Sequence, residues 1–230
     1  MSSFARGRAF VWRAAAYATR RAEAAPLVGP TLSRINGRLF ARRFVPDLQR
    51  LHDVLEGTEL AGRYWVWAGL LLGWAREGAP LAHDRDADFA LLPEDVPRLL
   101  SALPAMRRAG FLPLMRFVNN AGEVTEYTFR RGRARFEFFV FFPEGEEWRY
   151  FTYGGPRGER VQIGATVRAR ALAPFEFVGR TWLKPDDHEA ELTAMYGDWR
   201  TPKTNWDYLT EDLAADEREP WRTADTWWDA

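Results

Sequence analysis

The 230-residue sequence has no cysteine, and that single absence removes disulfides, thiol nucleophiles and cysteine-ligated zinc together. Histidine is scarce as well. His52, His83 and His188 are too scattered along the chain to suggest a metal cluster, and each reads as a surface or packing residue. No stretch reaches the roughly 18 apolar residues that a spanning helix requires, and Phe10-Val11-Trp12 is cut short by Arg13. Nor does the front of the chain read as a secretory signal. The expected location is cytoplasmic, with peripheral attachment at a membrane surface as one option.

Net charge is also missing, since 32 basic residues balance 32 acidic ones. The balance is global and not local. Residues 1–46 carry Arg6, Arg8, Arg13, Arg20, Arg21, Arg34, Arg38, Arg42 and Arg43 against Glu23 alone, so the front is strongly basic and the remainder acidic. A basic helical extension over 1–45 is expected. It reads as a solvated helix packing on the domain, as an anchor for an anionic membrane surface, or as a cleaved organellar presequence. Nucleic acid is not an expected partner, because these arginines lack a stacking platform or recognised fold. A chain of this length, 47% hydrophobic and 28% charged, can bury an ordinary globular core. One catalytic domain over 46–208 is expected, followed by an acidic, tryptophan-bearing tail over 209–230.

The most informative stretch is Asp84-Arg85-Asp86-Ala87-Asp88-Phe89-Ala90-Leu91. Read as a strand, its period of two sends Asp84, Asp86 and Asp88 to one face and Ala87, Phe89 and Leu91 to the other. Like charges on one face repel, and aspartate is a poor strand former, so a row of this kind needs a compensating cation. Hard oxygen ligands suit Mg2+ or Mn2+. Taken alone, D-x-D is more often an exposed acidic turn. Upstream context favours the site: Tyr64-Trp65-Val66-Trp67-Ala68 reads as a buried strand, Gly69 as a turn, and Leu70 to Glu77 as a short helix. A helix start after a glycine offers backbone N–H groups and a positive dipole end to an anion, which makes Gly69, Leu70, Gly73 and Arg76 candidate phosphate-binding residues.

These residues carry a family resemblance. Gly69-Leu-Leu-Leu-Gly-Trp-Ala-Arg76, then Gly78, then Asp84-x-Asp86-x-Asp88 resembles the LicD family, which includes fukutin and the fukutin-related protein. Trp182 to Pro202, with its Tyr196-Gly-Asp-Trp199, is similar to that family's closing motif, so the resemblance covers about residues 48–206. It implies a nucleotidyltransferase-like α/β fold. It also implies a phosphotransferase that moves a phosphorylated alcohol, of the phosphocholine or ribitol-phosphate kind, from a CDP-linked donor to the hydroxyl of a glycan or glycolipid, as in cell-surface polysaccharide modification. The sequence departs from the pattern at Leu70, where the family has Thr or Ser, at Glu77, and at Ala82-His83, where Pro-Trp is usual. Leucine at 70 removes a hydroxyl but leaves the backbone N–H.

Further along, Leu48, Leu51, Val54 and Leu55 repeat at helical spacing from Pro46. Pro93-Glu94-Asp95 opens a helix with Val96, Leu99, Leu100 and Leu103 on one face. A meander follows over 111–118, 124–130 and 134–142, then a hairpin from Trp148 to Ile163, another turning at Gly179-Arg180, and a helix from Asp187 closed by Gly197. Glu137 is the odd member of an aromatic strand, and a buried carboxylate without a partner is costly. The resembled family has an aspartate near this place, which implies that Glu137 joins Asp86 and Asp88 in holding metal. A surface ion pair with Arg133 or Arg135 explains it equally well. In the expected mechanism Asp86 and Asp88 hold the metal, while Asp84 is either a further ligand or the base for the attacking hydroxyl. Two alternatives stay open: a nucleotidyltransferase using a nucleoside triphosphate, and an inactive binding or scaffold member of the fold.

Overall fold

The computed structural model describes residues 44–82, 84–155, 160–203, 206–222 and 226–227. The basic segment 1–43, His83 and Trp228 lie outside the described residues, and so do the expectations that concern them. Residues 44–55 are helical (α1), so the helix expected from Pro46 already includes Phe44. Phe44, Leu48, Leu51 and Leu55 recur at helical spacing and are all buried.

The chain then runs through β1 (Tyr64–Val66), α2 (Ala68–Glu77) and β2 (Asp86–Leu91), the expected strand, helix and acidic strand, except that the helix begins two residues early, so Gly69 lies in its first turn and the chain turns at Trp67 and Ala68. The acidic strand is shorter than expected. It starts at Asp86, and Asp84 sits in the turn before it, where its N–H donates to the carbonyl of Leu81. After β2 the single expected helix is broken into a 3-10 turn (Pro93–Asp95), α3 (Val96–Ser101) and α4 (Leu103–Arg108). Pro97 and Pro104 each stand in the first turn of a new helix, where a missing N–H costs little. The break changes the inward face to Leu99, Ala102 and Met106, and Leu100 is left exposed.

Next come β3 (Leu112–Val118), β4 (Val124–Arg131) and β5 (Ala134–Val140). With β12 (Thr226–Trp227) they build a six-stranded sheet in the order β1-β2-β5-β4-β3-β12. The pair β2 and β5 is parallel and its neighbours are antiparallel, so the sheet is mixed, as an α/β nucleotidyltransferase-like fold requires. One face is apolar throughout: Ala87, Phe89, Leu91, Phe129, Phe136 and Phe138 are fully or almost fully buried. It is covered by α1, whose Phe44 ring lies 6.1 Å from Phe136, and by the hairpin of β9 (Leu172–Phe177) and β10 (Arg180–Pro185), whose Trp182 stacks on Phe89 at 5.7 Å.

The second face is divided. Its upper part, with Ala90 and Phe139, packs with Trp65, Trp67, Phe141, Tyr150 and Met195 into a further aromatic core. This core is roofed by a four-stranded sheet of β6 (Phe142–Glu144), β7 (Glu147–Gly154), β8 (Val161–Arg168) and β11 (Ala215–Pro220), in the order β11-β8-β7-β6, and by α5 (His188–Tyr196). The lower part carries the charged residues of β2 and β5. The acidic C-terminal stretch is not a free tail over 215–222, because β11 pairs with β8 and the indole N–H of Trp221 donates to the carbonyl of Val118 at 2.9 Å. A short helix, α6 (Tyr208–Glu211), precedes β11 and lies against β7.

Candidate active site

Parallel pairing of β2 with β5 sets Asp86 beside Arg135 and Asp88 beside Glu137. Paired residues of neighbouring strands share a face, so these side chains lie together on the charged part of the sheet. Antiparallel pairing of β4 adds Thr128 opposite Glu137, with Glu126 one same-face step along β4. Asp84 approaches from the turn before β2, and its Oδ1 accepts from the N–H of Asp86 at 3.3 Å. Asp84, Asp86, Asp88, Glu126 and Glu137 thus form one cluster, in which Arg135 contacts Asp86 and Glu137.

Arg135 grips Asp86 with two nitrogens: Nε donates to Oδ1 at 2.8 Å, and Nη2 donates to Oδ2. The same Nε lies 3.3 Å from Oε1 of Glu137. Asp88 is held on the other side by the backbone N–H of Gly69, which donates to Oδ2 at 3.1 Å. Glu126 is buried and accepts from the Thr128 hydroxyl at 2.7 Å.

Burial first, and neighbouring negative charge second, raise the proton affinities of these carboxylates. Burial, then the fields of Glu137, Asp84 and Asp86, raise Asp88 well above the ordinary carboxylate range, against the opposing pull of the Gly69 N–H. Glu137 is pushed up to about 7 by burial and by Asp86 and Asp84, although Arg135 opposes this. Glu126 is raised well above its ordinary value by burial and then by Glu137, with Thr128 and Arg135 opposing. Two tyrosines border the cluster. Tyr196 on α5 has its hydroxyl raised by burial and the fields of Asp88, Asp212 and Asp84, and Tyr208 on α6 by burial, Glu137 and Glu126. The ring of Trp206 lies 4.6 Å from that of Tyr196.

Gly69 shows how tightly the helix start meets the carboxylates. A Cβ there would stand 2.6 Å from Oδ2 of Asp84 and 3.2 Å from Oδ2 of Asp88. Ala68 before it adopts φ 44°, a left-handed conformation unusual for a residue with a side chain. Such backbone costs of order 1–3 kcal/mol and persists where its surroundings enforce it. It turns the chain from β1 into α2 so that the first helical amides face β2. The N-cap, Trp67, makes no side-chain hydrogen bond to those amides.

The four expected phosphate-binding residues do not converge. Gly69 is at the cluster, but its N–H is engaged by Asp88. Leu70 lies at the same helix start with its side chain in the core. Gly73 is packed away from it, where a Cβ would meet the carbonyl oxygen of Ala79 at 2.7 Å and the nitrogen of Leu81 at 2.9 Å. Arg76 is in the last turn of α2, about 12 Å along the axis from Ala68 at about 1.5 Å per residue, and it donates to the carbonyls of Trp199 and Thr201. Arg76 therefore braces the segment after α5. Glu126, Thr128, Tyr196 and Tyr208 were not singled out as site residues from the sequence. A signal for the first two existed: counting back from the tight turn at Gly132 pairs Thr128 with Glu137 and points Glu126 to the same face.

Whether these residues suit a hard divalent cation can be judged from their chemistry. Carboxylate oxygens are the right donors for Mg2+ or Mn2+, and burial, with the neighbouring carboxylates, disfavours the charged forms of Asp88, Glu126 and Glu137, a cost that a cation would relieve. As the side chains stand, no three His, Asp or Glu among the described residues are close enough to enclose an ion. Asp86 is turned to Arg135 and Asp88 to Gly69, so both would have to swing inward. The donor set fits, and the rotamers are those of carboxylates satisfied by other means.

Comparison with known families bears directly on this arrangement. Residues 62–154 match the family model described as LicD/FKTN/FKRP, nucleotidyltransferase domain. Over those residues the chain is similar to a LicD-type nucleotidyltransferase domain. The matched span includes Gly69, the three aspartates 84, 86 and 88, Glu126, Arg135 and Glu137, and it ends before the Tyr196-Gly-Asp-Trp199 stretch. No curated protein sequence matches the chain. The matched description is that of a transferase-type domain. Among the described residues, no helix is long and apolar enough to cross a membrane.

Proposed function

We propose that the chain is a metal-dependent phosphotransferase that moves a phosphorylated alcohol from a CDP-linked donor to a glycan or glycolipid hydroxyl. The observation that carries this reading is the placement of Asp86, Asp88 and Glu137 on one face of two adjacent parallel strands, beside the start of α2, within the LicD-type domain. Transfer at phosphorus is mostly positioning and neutralisation of charge, and this cluster of carboxylates is built to concentrate positive charge.

Asp86, Asp88 and Glu137 are the residues that would hold Mg2+ or Mn2+. When bound, such an ion neutralises the donor's pyrophosphate and the nucleoside phosphate that leaves. The chain's own groups supply the rest. The first amides of α2 lie at the positive end of the helix dipole; that of Leu70 would meet the donor's phosphates, and that of Gly69, now engaged by Asp88, would join it only when Asp88 turns to a metal. Asp84, outside the strand and held by the Asp86 N–H, would serve either as a further ligand or as the base that accepts the proton of the attacking hydroxyl. Tyr196, with Trp206 against it, forms a wall beside Asp84 and Asp88 that limits water.

The test is a panel of CDP-linked alcohols incubated with Mg2+ or Mn2+ and glycan acceptors, followed by CMP release. Turnover is expected with at least one donor, and Asp86→Asn or Asp88→Asn should each reduce it at least about 100-fold, the scale on which loss of one preorganised charge is felt. Turnover undiminished in either variant would remove the assignment of metal to these residues.

A further inference from the structure

Arg135 is in direct contact with two members of the carboxylate cluster, Asp86 and Glu137, and its placement is unusual for a partner that merely decorates a surface. Its side chain is 48% exposed, whereas the carboxylates it touches are more enclosed, at 26% for Asp86 and 13% for Glu137. It therefore sits at the mouth of the cluster with its fork turned inward. Both oxygens of Asp86 accept from that fork, which leaves each one further lone pair. A divalent cation drawn to the same carboxylate would stand within a few ångströms of the guanidinium and repel it, so the two compete for Asp86.

We infer that Arg135 is the built-in counter-cation of this site: it holds Asp86 and Glu137 while no metal is present, and it yields Asp86 to the metal as the donor binds. The inference rests on the proposed metal-dependent reading and adds a role for a residue outside the expected ligand and phosphate sets. Released from Asp86, the guanidinium remains at the mouth, anchored on β5, with five donors of fixed planar geometry. Bidentate recognition of a phosphate is the interaction such a fork makes best. Exchange of partners thus couples metal entry to donor capture. The resting state avoids a nest of unopposed carboxylates, and the loaded state offers a positive fork to the pyrophosphate.

Linkage sets the sign of the effects. If the guanidinium and the metal compete for Asp86, removing the guanidinium must tighten the metal, whereas a fork that only helps assemble the site would weaken it on removal. The experiment compares the full chain with Arg135→Gln by calorimetric titration of Mn2+, by thermal unfolding in EDTA and in saturating Mn2+, and by binding of CDP to the Mn2+-loaded proteins. Arg135→Gln is expected to bind Mn2+ about tenfold more tightly, a change of about 1.4 kcal/mol. It should also unfold at lower temperature than wild type in EDTA, close that gap in Mn2+, and bind CDP at least about fivefold more weakly.

Mn2+ affinity that is unchanged or weaker in the variant overturns the inference while leaving the metal reading standing. Tighter Mn2+ with undiminished CDP binding overturns the transfer to phosphate. A wild-type chain that takes up no Mn2+ overturns both the inference and the metal reading beneath it. Should Arg135→Gln fail to fold in EDTA, Arg135→Lys keeps the charge and loses the fork. It is expected to tighten Mn2+ about threefold by the same competition, and an unchanged midpoint there counts against the inference equally.

Discussion

Replacing Glu137 with glutamine offers the sharpest physical test of the cluster, because it separates a carboxylate waiting for a cation from one that merely pairs with an arginine. In the metal-free protein Glu137 is raised from 4.5 to about 7 by burial and by Asp86 and Asp84, against the pull of Arg135. At about 1.4 kcal/mol for each tenfold change in proton affinity, ionising this group in the native state costs about 3 kcal/mol more than in the unfolded chain. The sign follows from linkage. Between pH 4.5 and about 7 the native state binds the proton and the unfolded state has lost it, so this carboxyl makes stability fall as pH rises through that window and level off above it. Glutamine cannot ionise, so Glu137→Gln should stabilise the protein in EDTA by about 2–3 kcal/mol at pH 8, with the gain shrinking toward zero by about pH 4.5. Urea denaturation followed by circular dichroism at the two pH values measures it. With saturating Mg2+ the order should invert, since wild type gains a ligand that the amide supplies poorly. Were Glu137 simply the partner of Arg135 at a surface, the substitution would instead cost up to about 1 kcal/mol at pH 8 and show no inversion. A destabilised Glu137→Gln in EDTA at pH 8 refutes the reasoning.

Gly69→Ala should leave stability within about 1 kcal/mol of wild type, because a better helix former offsets a clash that the end of the Asp84 side chain can relieve, yet it should abolish metal-dependent turnover by pushing Asp84 and Asp88 aside. Gly73→Ala is the contrasting case: its Cβ meets the fixed backbone of Ala79 and Leu81, so a loss of about 1–3 kcal/mol is expected in urea denaturation, with turnover per folded molecule retained. Trp221→Ala removes a ring 4.5 Å from that of Tyr153 together with an N–H bond to Val118, and should cost about 1–3 kcal/mol, read as a lower unfolding midpoint.

Local rules made the centre of this protein legible in its sequence. The period of two in Asp86-Ala87-Asp88-Phe89 needs only a strand to divide charge from core, and a helix start beside Gly69 needs only a strand followed by a helix. The oddity of Glu137 in an aromatic run also required no partner to be noticed. What it faced could not be read locally, because the contact depends on β2 and β5 lying side by side in parallel although β3 and β4 intervene in the chain. That register made Arg135 a partner of both Asp86 and Glu137, so the metal-ligand and ion-pair readings of Glu137 describe the same cluster. Arg76 and Gly73 looked like neighbours of Gly69 in the sequence. Two turns of helix and a loop packed against Gly73 send them elsewhere, to the carbonyls of Trp199 and Thr201 and to the backbone of Ala79 and Leu81. Residues 215–220 carry Glu217, Arg218 and Glu219 and no apolar alternation, so they resembled a loose tail. They form a strand because the exposed edge of β8 leaves backbone groups to pair, and main-chain hydrogen bonds do not require an apolar face. The sequence by itself therefore determined which residue types carry charge on which side of a strand. The tertiary structure decided which of those charges meet, since that is set by strand order and register between segments far apart in the chain.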